Sequence, residues 1–207
     1  MHHADGLLVT GRLFMDNCIR TLTRKSRSTR RFQEERLLPE GHIIGLIDIA
    51  RFCPSARNRQ PLKYIISVDP EETKEIASAL LWALDLPDWD GPSLGERPPA
   101  YITIVAPEKC SPDPAIDLGI AAQTILLAAA EQGISGCMFG SIKREEMKRI
   151  LPVPEGYEIL LVIALGYSAE EIRLEPIGDD GDTRYWRTPD GVHHVPKRSL
   201  EDCLVRR

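Results

Sequence analysis

The chain has 207 residues, of which 43% are hydrophobic and 28% charged. These are ordinary globular proportions that exclude collagen-like and disordered classes and leave enough apolar surface to offset chain entropy. Its 26 Lys+Arg against 31 Asp+Glu give a net charge of -5, so no overall positive field attracts nucleic acid and any anion site must be local. The longest purely apolar stretch, Ile159 to Leu165, is too short to cross a bilayer, and Met1 to Gly11 has no basic start before a hydrophobic segment; a soluble, cytoplasmic protein without membrane or nucleic-acid partners is expected.

In chain order, Phe14, Cys18 and Leu22 recur every four residues and predict an amphipathic helix over Leu13 to Leu22. A basic run follows, with Arg20, Arg24, Lys25, Arg27, Arg30, Arg31 and Arg36 answered only by Glu34 and Glu35. Pro39 is suited to open a helix carrying Ile43, Ile47 and Ala50 on one face and ending before Pro54. Residues Pro54 to Pro61, bracketed by prolines and rich in amides and hydroxyls, predict a rigid presented loop leading into a strand from Tyr64 to Val68. Helical spacing continues over Glu72 to Leu84. The Pro/Gly-rich stretch from Pro87 to Pro99, with Trp82 and Trp89 nearby, then breaks regular structure and suits a mobile cover.

Further along, Tyr101 to Ala106 predicts a strand, and Ala115 to Gln132 an almost wholly apolar helix ended by Gly133. Such a helix belongs in a core or a subunit interface. Ile134 to Phe139 predicts a strand, Gly140-Ser141 a turn, and Lys143 to Leu151 a short helix that Ser141 can cap. Ile159 to Leu165 has the continuous apolar character of a strand buried on both faces. The tail from Ala169 to Arg207 is acidic at first and then carries Tyr185, Trp186, Lys197 and Arg198; reaching across to a second subunit would give it a role. Helices and strands interleave in one α+β or α/β domain with no internal repeat.

The five cysteines are widely separated and lack a C-x-x-C pair, so reduced, mostly buried thiols are expected. His193 and His194 are adjacent, face opposite sides of a strand, and cannot easily share a metal ion; no metal is expected. Arginine forks bind phosphate bidentately and serine hydroxyls complete the oxygen shell, so Arg27-Ser28-Thr29-Arg30 can hold a phosphate, although the same run also reads as a solvated basic face. No G-x-G-x-x-G follows a predicted strand, and neither a P-loop nor a G-x-S-x-G elbow is present.

The order of these segments resembles the nitroreductase family, whose members use FMN and work as homodimers. The matching residues are Arg27-Ser28-Thr29-Arg30-Arg31-Phe32, the stretch from Ala50 to Pro61, Ala121-Ala122-Gln123 with Leu126 to Ala129 and Gly133, and Leu165-Gly166-Tyr167. The resemblance implies a three-layer α+β fold with a central, mainly antiparallel sheet flanked by helices. Its core would span about residues 18–168, with a C-terminal extension over 169–207 reaching the partner of a homodimer. It implies that Arg27, Ser28 and Arg30 contact the FMN phosphate and the polar edge of its ring, and that Pro54, Ser55, Ala56 and Asn58 come from the opposite subunit. Backbone groups of Met138, Phe139, Gly140 and Ser141 would lie near flavin N5, and Lys197 and Arg198 would close on the phosphate.

Three departures from the family pattern are Ser26 in place of a further arginine, Arg57 in place of a small residue, and Leu62 in place of an aromatic. The first weakens one phosphate or flavin contact and the others alter the pocket wall. With the chemistry on the flavin, no catalytic side chain is expected. The implied activity is a ping-pong oxidation of NADH or NADPH with a nitroaromatic, quinone or similar electron-poor acceptor. A flavin-binding sensor or carrier without turnover is the alternative, and a dimeric scaffold binding an acidic partner is a third class. Trp82, Trp89 and Phe139 are candidate ring-stacking partners, with core packing as the plain alternative.

Overall fold

The computed structural model describes residues 18–205. Helix α1 (Cys18–Lys25) carries the second half of the predicted first helix and runs three residues further; the part before Cys18 lies outside the described residues. Helix α2 (Glu40–Ala50) buries Ile43, Leu46 and Ala50, and Pro39 stands at its N-cap rather than as its first residue. Strand β1 (Lys63–Ser67) leads to α3 (Pro70–Ser78). The Asp69 side chain caps α3 by accepting from the backbone N–H groups of Glu71 and Glu72.

The helix expected to reach Leu84 stops at Ser78. Leu80 instead forms an antiparallel bridge with Ile142, and Leu81 N donates to Ser141 O at 3.1 Å while Lys143 N donates to Ala79 O at 2.9 Å. The apolar spacing of Leu80 and Ala83 reflects burial of a non-helical segment, a periodicity that a short window cannot tell from a helix. The same pairing occupies residues 141–143, so Ser141 does not cap the next helix. That helix, α5 (Arg144–Ile150), starts from Lys143 with no side-chain cap.

Strands β2 (Ala100–Pro107), β3 (Ser135–Phe139) and β4 (Tyr157–Gly166) join β1 in an antiparallel sheet of order β1-β2-β4-β3. Side chains alternate across the inner strands, as the two-residue period of a strand requires. Tyr101, Val105, Val162 and Ala164 pack on one face with Ile76, Trp82, Phe139 and Met147. On the other face Ile102, Ile104, Ile163 and Leu165 meet α2 and helix α4 (Ala115–Glu131) through Ile43, Leu46, Ala122, Ile125 and Leu126. Both faces of the sheet are therefore covered, which explains the unbroken apolar run in β4. Gly133, at φ +72, ends α4, and the N–H of Ile134 returns to Ala129 O at 2.9 Å; this left-handed closure favours glycine.

The weakly patterned tail folds against its own chain. Phe32 bridges Ser168, and Ala169 N donates to Arg31 O at 2.9 Å. Strands β5 (Ile172–Pro176), β6 (Trp186–Arg187) and β7 (His193–Lys197) then form a second sheet of order β5-β7-β6, with β5 parallel and β6 antiparallel to β7. The five cysteines are free, but only Cys137 is buried, and Cys18 and Cys203 are exposed. The expectation of mostly buried thiols thus fails, because these two sit near the ends of the described chain, outside the packed layers.

Gly136 shows how closely the layers approach. A Cβ there would meet Leu126 Cδ2 at 2.6 Å and Ala164 O at 2.7 Å, the second a backbone atom that cannot rotate aside. Gly136→Ala is expected to destabilise the protein by about 1–3 kcal/mol, the usual cost of overpacking, measured as a lower urea midpoint with an unchanged slope; an unchanged midpoint would contradict this packing.

Candidate functional site

The basic segment leaves α1 and runs beside β3. Ser28 forms a parallel bridge with Gly136, and Thr29 N donates to Gly136 O at 3.0 Å. The basic residues divide between two surroundings. Arg27 and Arg30 border a cavity of about 700 Å³, while Arg31 pairs with Glu96 at 3.5 Å and Arg36 lies 3.3 Å from the centre of the Tyr167 ring.

The cavity collects residues far apart in the chain. Ser28 and Arg30 come from the basic segment, Gln123 and Leu126 from α4, Met138 from β3, and Tyr185, His193, Lys197 and Arg198 from the tail. Its size lies within the range of cofactor sites. Arg27 donates through one terminal nitrogen to Thr23 O at 2.7 Å, whereas its Nε is buried with no hydrogen-bond partner among the described residues, and burial lowers its pKa from the usual arginine value. An unmatched buried donor of this kind is costly unless an acceptor occupies the space.

The second group of expected residues lies elsewhere in the chain. Pro54 and Ser55 border a smaller cavity of about 200 Å³ with Cys53, Gln60 and Asp117. Gln123 and Leu126 of α4 face the large cavity, and Asp117 and Ala121 of the same helix face the small one. The loop is held by the buried Asp117 carboxylate, which accepts from Ala56 N at 2.9 Å, and by Ser55 Oγ, which accepts from Gln60 N at 3.0 Å. Arg57, Asn58 and Gln60 have φ values of 54°, 53° and 48°. Three left-handed non-glycine residues in four positions store strain that the surrounding hydrogen bonds must hold.

At the end of β3 the four expected residues diverge. Met138 lines the large cavity, but the Phe139 ring is buried on the opposite face of the sheet, 4.6 Å from Trp82. Gly140 and Ser141 form the exposed turn beyond it. Trp82 and Phe139 are thus core residues rather than ring-stacking walls, because strand alternation turns Phe139 away from the cavity. Trp89 packs edge-on to Trp82 and under the Arg187 guanidinium, 4.7 Å from it.

The groups behind Arg30 are buried, and neither Glu170 nor the place of His193 beside Arg30 carries a local signal in the sequence. Glu170, with 1% of its side chain exposed, accepts from the backbone N–H groups of Arg30 at 2.5 Å and Arg31 at 3.2 Å and from Arg187 at 2.8 Å. His193 is buried, with Nε2 3.3 Å from Arg30 NH1. Burial first, and Arg30 second, push its pKa down to about 4. Burial also pushes the Cys137 thiol up to about 11, so it carries no thiolate at neutral pH. Gln123, part of the Ala121-Ala122-Gln123 segment, lines the cavity; Tyr185, His193 and Glu170 lie in a stretch without periodicity.

The family model for the nitroreductase family matches residues 23–167. A provisionally named NADH dehydrogenase/NAD(P)H nitroreductase of Archaeoglobus fulgidus is 28% identical over 187 residues, covering 86% of this chain and 98% of its own. Two solved structures share the fold. A nitroreductase with bound FMN from Desulfitobacterium hafniense has a TM-score of 0.62 at 24% identity, over 82% of this chain and 98% of its own. The FMN-dependent nitroreductase NfnB of Mycobacterium smegmatis, in complex with NADPH, has a TM-score of 0.59 at 22% identity, over 73% and 88% respectively.

The depressed His193 pKa fixes a sign. Between about pH 4 and 6.5 the unfolded chain binds a proton that the folded ring does not, so stability rises with pH across this window and is lost as pH falls through it. In urea unfolding at pH 4.5 and 6.5, His193→Gln is expected to reduce the difference between the two values by about 1–2 kcal/mol; an identical difference in the variant would remove this assignment.

Proposed function

The chain belongs to the nitroreductase family, and from that premise we propose that it is an FMN-dependent NAD(P)H oxidoreductase that reduces nitroaromatic, quinone or similar electron-poor acceptors. The observation that carries this reading is the convergence of Arg27, Ser28, Arg30, Met138, Lys197 and Arg198 on one cavity. Four cationic side chains, a hydroxyl and apolar Leu126 and Met138 suit a ligand with a dianionic tail and a flat, largely apolar head. The unmatched Nε of Arg27 is a donor that a phosphate oxygen would satisfy.

FMN, when bound, supplies the hydride chemistry. The protein binds and orients. Arg27, Lys197 and Arg198 would neutralise the phosphate and the Ser28 hydroxyl would donate to it, while Arg30 would set positive charge beside the polar edge of the ring, where it stabilises negative charge. Met138, which lines the cavity, would meet the ring when FMN is bound, and the backbone that continues through Phe139, Gly140 and Ser141 would supply the contacts near N5. Leu126 and Met138 exclude water from the apolar part of the cavity. No side-chain acid, base or nucleophile is required, and the nicotinamide donor and the acceptor occupy the same open space in turn, a ping-pong order.

The reading includes a homodimer in which the Pro54, Ser55, Ala56 and Asn58 loop of each subunit completes the cavity of the other, with the tail, after bracing Arg30 of its own chain through Glu170 and His193, continuing to the neighbouring subunit. In its favour, the strained loop borders a cavity of its own on the far side of α4, and Phe52, just before the loop, and Ile116, at the start of α4, leave large apolar side chains exposed, at 72% and 74%. Among the described residues, no helix is long and apolar enough to cross a membrane.

The freshly purified protein is expected to show flavin absorbance and to oxidise NADH or NADPH when an acceptor is present. Arg27→Ala combined with Arg30→Ala is expected to weaken FMN binding by at least about tenfold, the effect of losing charge-assisted hydrogen bonds, read by fluorescence titration; full affinity in that variant would overturn the phosphate assignment. A mass in solution equal to one chain, with flavin still bound, would overturn the shared site.

A further inference from the structure

We propose that the C-terminal sheet positions the Arg30 guanidinium, with His193 as the residue that aims it into the cavity; this rests on the flavin reading above. Arg30 is gripped at both its backbone and its head by residues that follow position 167, where the family match ends. Glu170 Oε1 holds its backbone N–H. The Tyr185 ring lies 4.6 Å from its guanidinium carbon. Arg30 NH1 is 3.3 Å from both Ser28 O and His193 Nε2, and the Tyr185 and His193 rings are 5.1 Å apart. A long arginine side chain carries about 2 kcal/mol of rotamer entropy, so a head fixed from two sides is presented to a ligand with that freedom already lost.

This arrangement requires a neutral imidazole. A guanidinium only donates, so Nε2 must accept and the proton must reside on Nδ1, which is buried and unpartnered among the described residues. A second proton on Nε2 would set donor against donor. The charged and titratable groups around the ring are Arg30 from the basic segment, Glu170 ahead of β5, Tyr185 ahead of β6, Arg187 on β6 and His194 on β7. Three of these oppose a positive ring and only Glu170 favours one, and Glu170 is already engaged by three donors. His194 itself points the other way, with Nδ1 2.8 Å from Glu175 Oε1.

A ring that merely fills space would influence FMN through stability alone; a ring that aims Arg30 acts only while Arg30 is present. FMN affinity, measured by fluorescence quenching at pH 7.5, therefore forms a double-mutant cycle. His193→Leu is expected to weaken FMN binding about tenfold, the worth of a hydrogen bond to a charged group, and His193→Gln, whose amide oxygen accepts, to restore most of it. In an Arg30→Met background, His193→Leu is expected to change the affinity by less than about twofold, within the additivity error of such cycles.

Wild-type affinity in His193→Leu, or an equal loss in the Arg30→Met background, would overturn the positioning role while leaving the flavin reading intact. A wild-type protein that binds no FMN overturns the reading itself. Tyr185→Leu removes the ring beside the same guanidinium and is read in the same cycle if His193→Leu does not fold.

Discussion

The buried carboxylate of Glu170 is the interaction on which the site's architecture depends. One side chain accepts from two consecutive backbone amides of the basic segment and from Arg187, joining the amino-terminal arginines to the tail across about 140 positions of sequence. Removing a carboxylate from water costs several kcal/mol, and the cost is offset only because three well-placed donors replace the solvent. Arg187 in turn packs on Trp89, so the same group also ties down the Pro/Gly-rich stretch after α3. A surface ion pair would contribute little; burial makes this one a joint between three segments.

Around that joint, the sheet provides a rigid edge. Gly136 lets β3 approach α4 and β4 more closely than any other residue would allow, and the basic segment pairs directly with it. The arginines are thus attached to the core through backbone hydrogen bonds rather than suspended from a loop. Rigid attachment matters for anion recognition, since the fork geometry of a guanidinium contributes most when its direction is fixed in advance.

Helix α4 separates two environments. Gln123 and Leu126 face a large cavity with a cationic rim, and Asp117 faces a smaller one, where its carboxylate anchors a strained loop. Two half-sites on opposite sides of one helix are difficult to unite within a single chain, which gives the proposed homodimer a geometric motive. The tail sheet then serves its own chain first, closing the large cavity with Tyr185, His193 and Lys197.

The sequence alone determined the elements whose signal is local. The apolar strand β4, the apolar helix α4 with its terminal Gly133, and the arginine-serine segment were legible because a two- or 3.6-residue period, a left-handed turn and a charge cluster are written in adjacent residues. Family order among those segments supplied the remaining expectations at Arg27, Ser28, Arg30, Met138, Lys197 and Arg198, all of which meet at one cavity. Tertiary structure alone decided where local cues compete with distant partners: α3 ends early because Leu80 pairs with Ile142, and Ser141 is drawn from capping by the same bridge. It also decided the roles of Glu170, Tyr185 and His193, whose shared neighbour Arg30 lies more than a hundred residues away. Hydrogen bonds and burial across such separations leave no periodic trace in the chain, so only the folded arrangement brings these groups to Arg30.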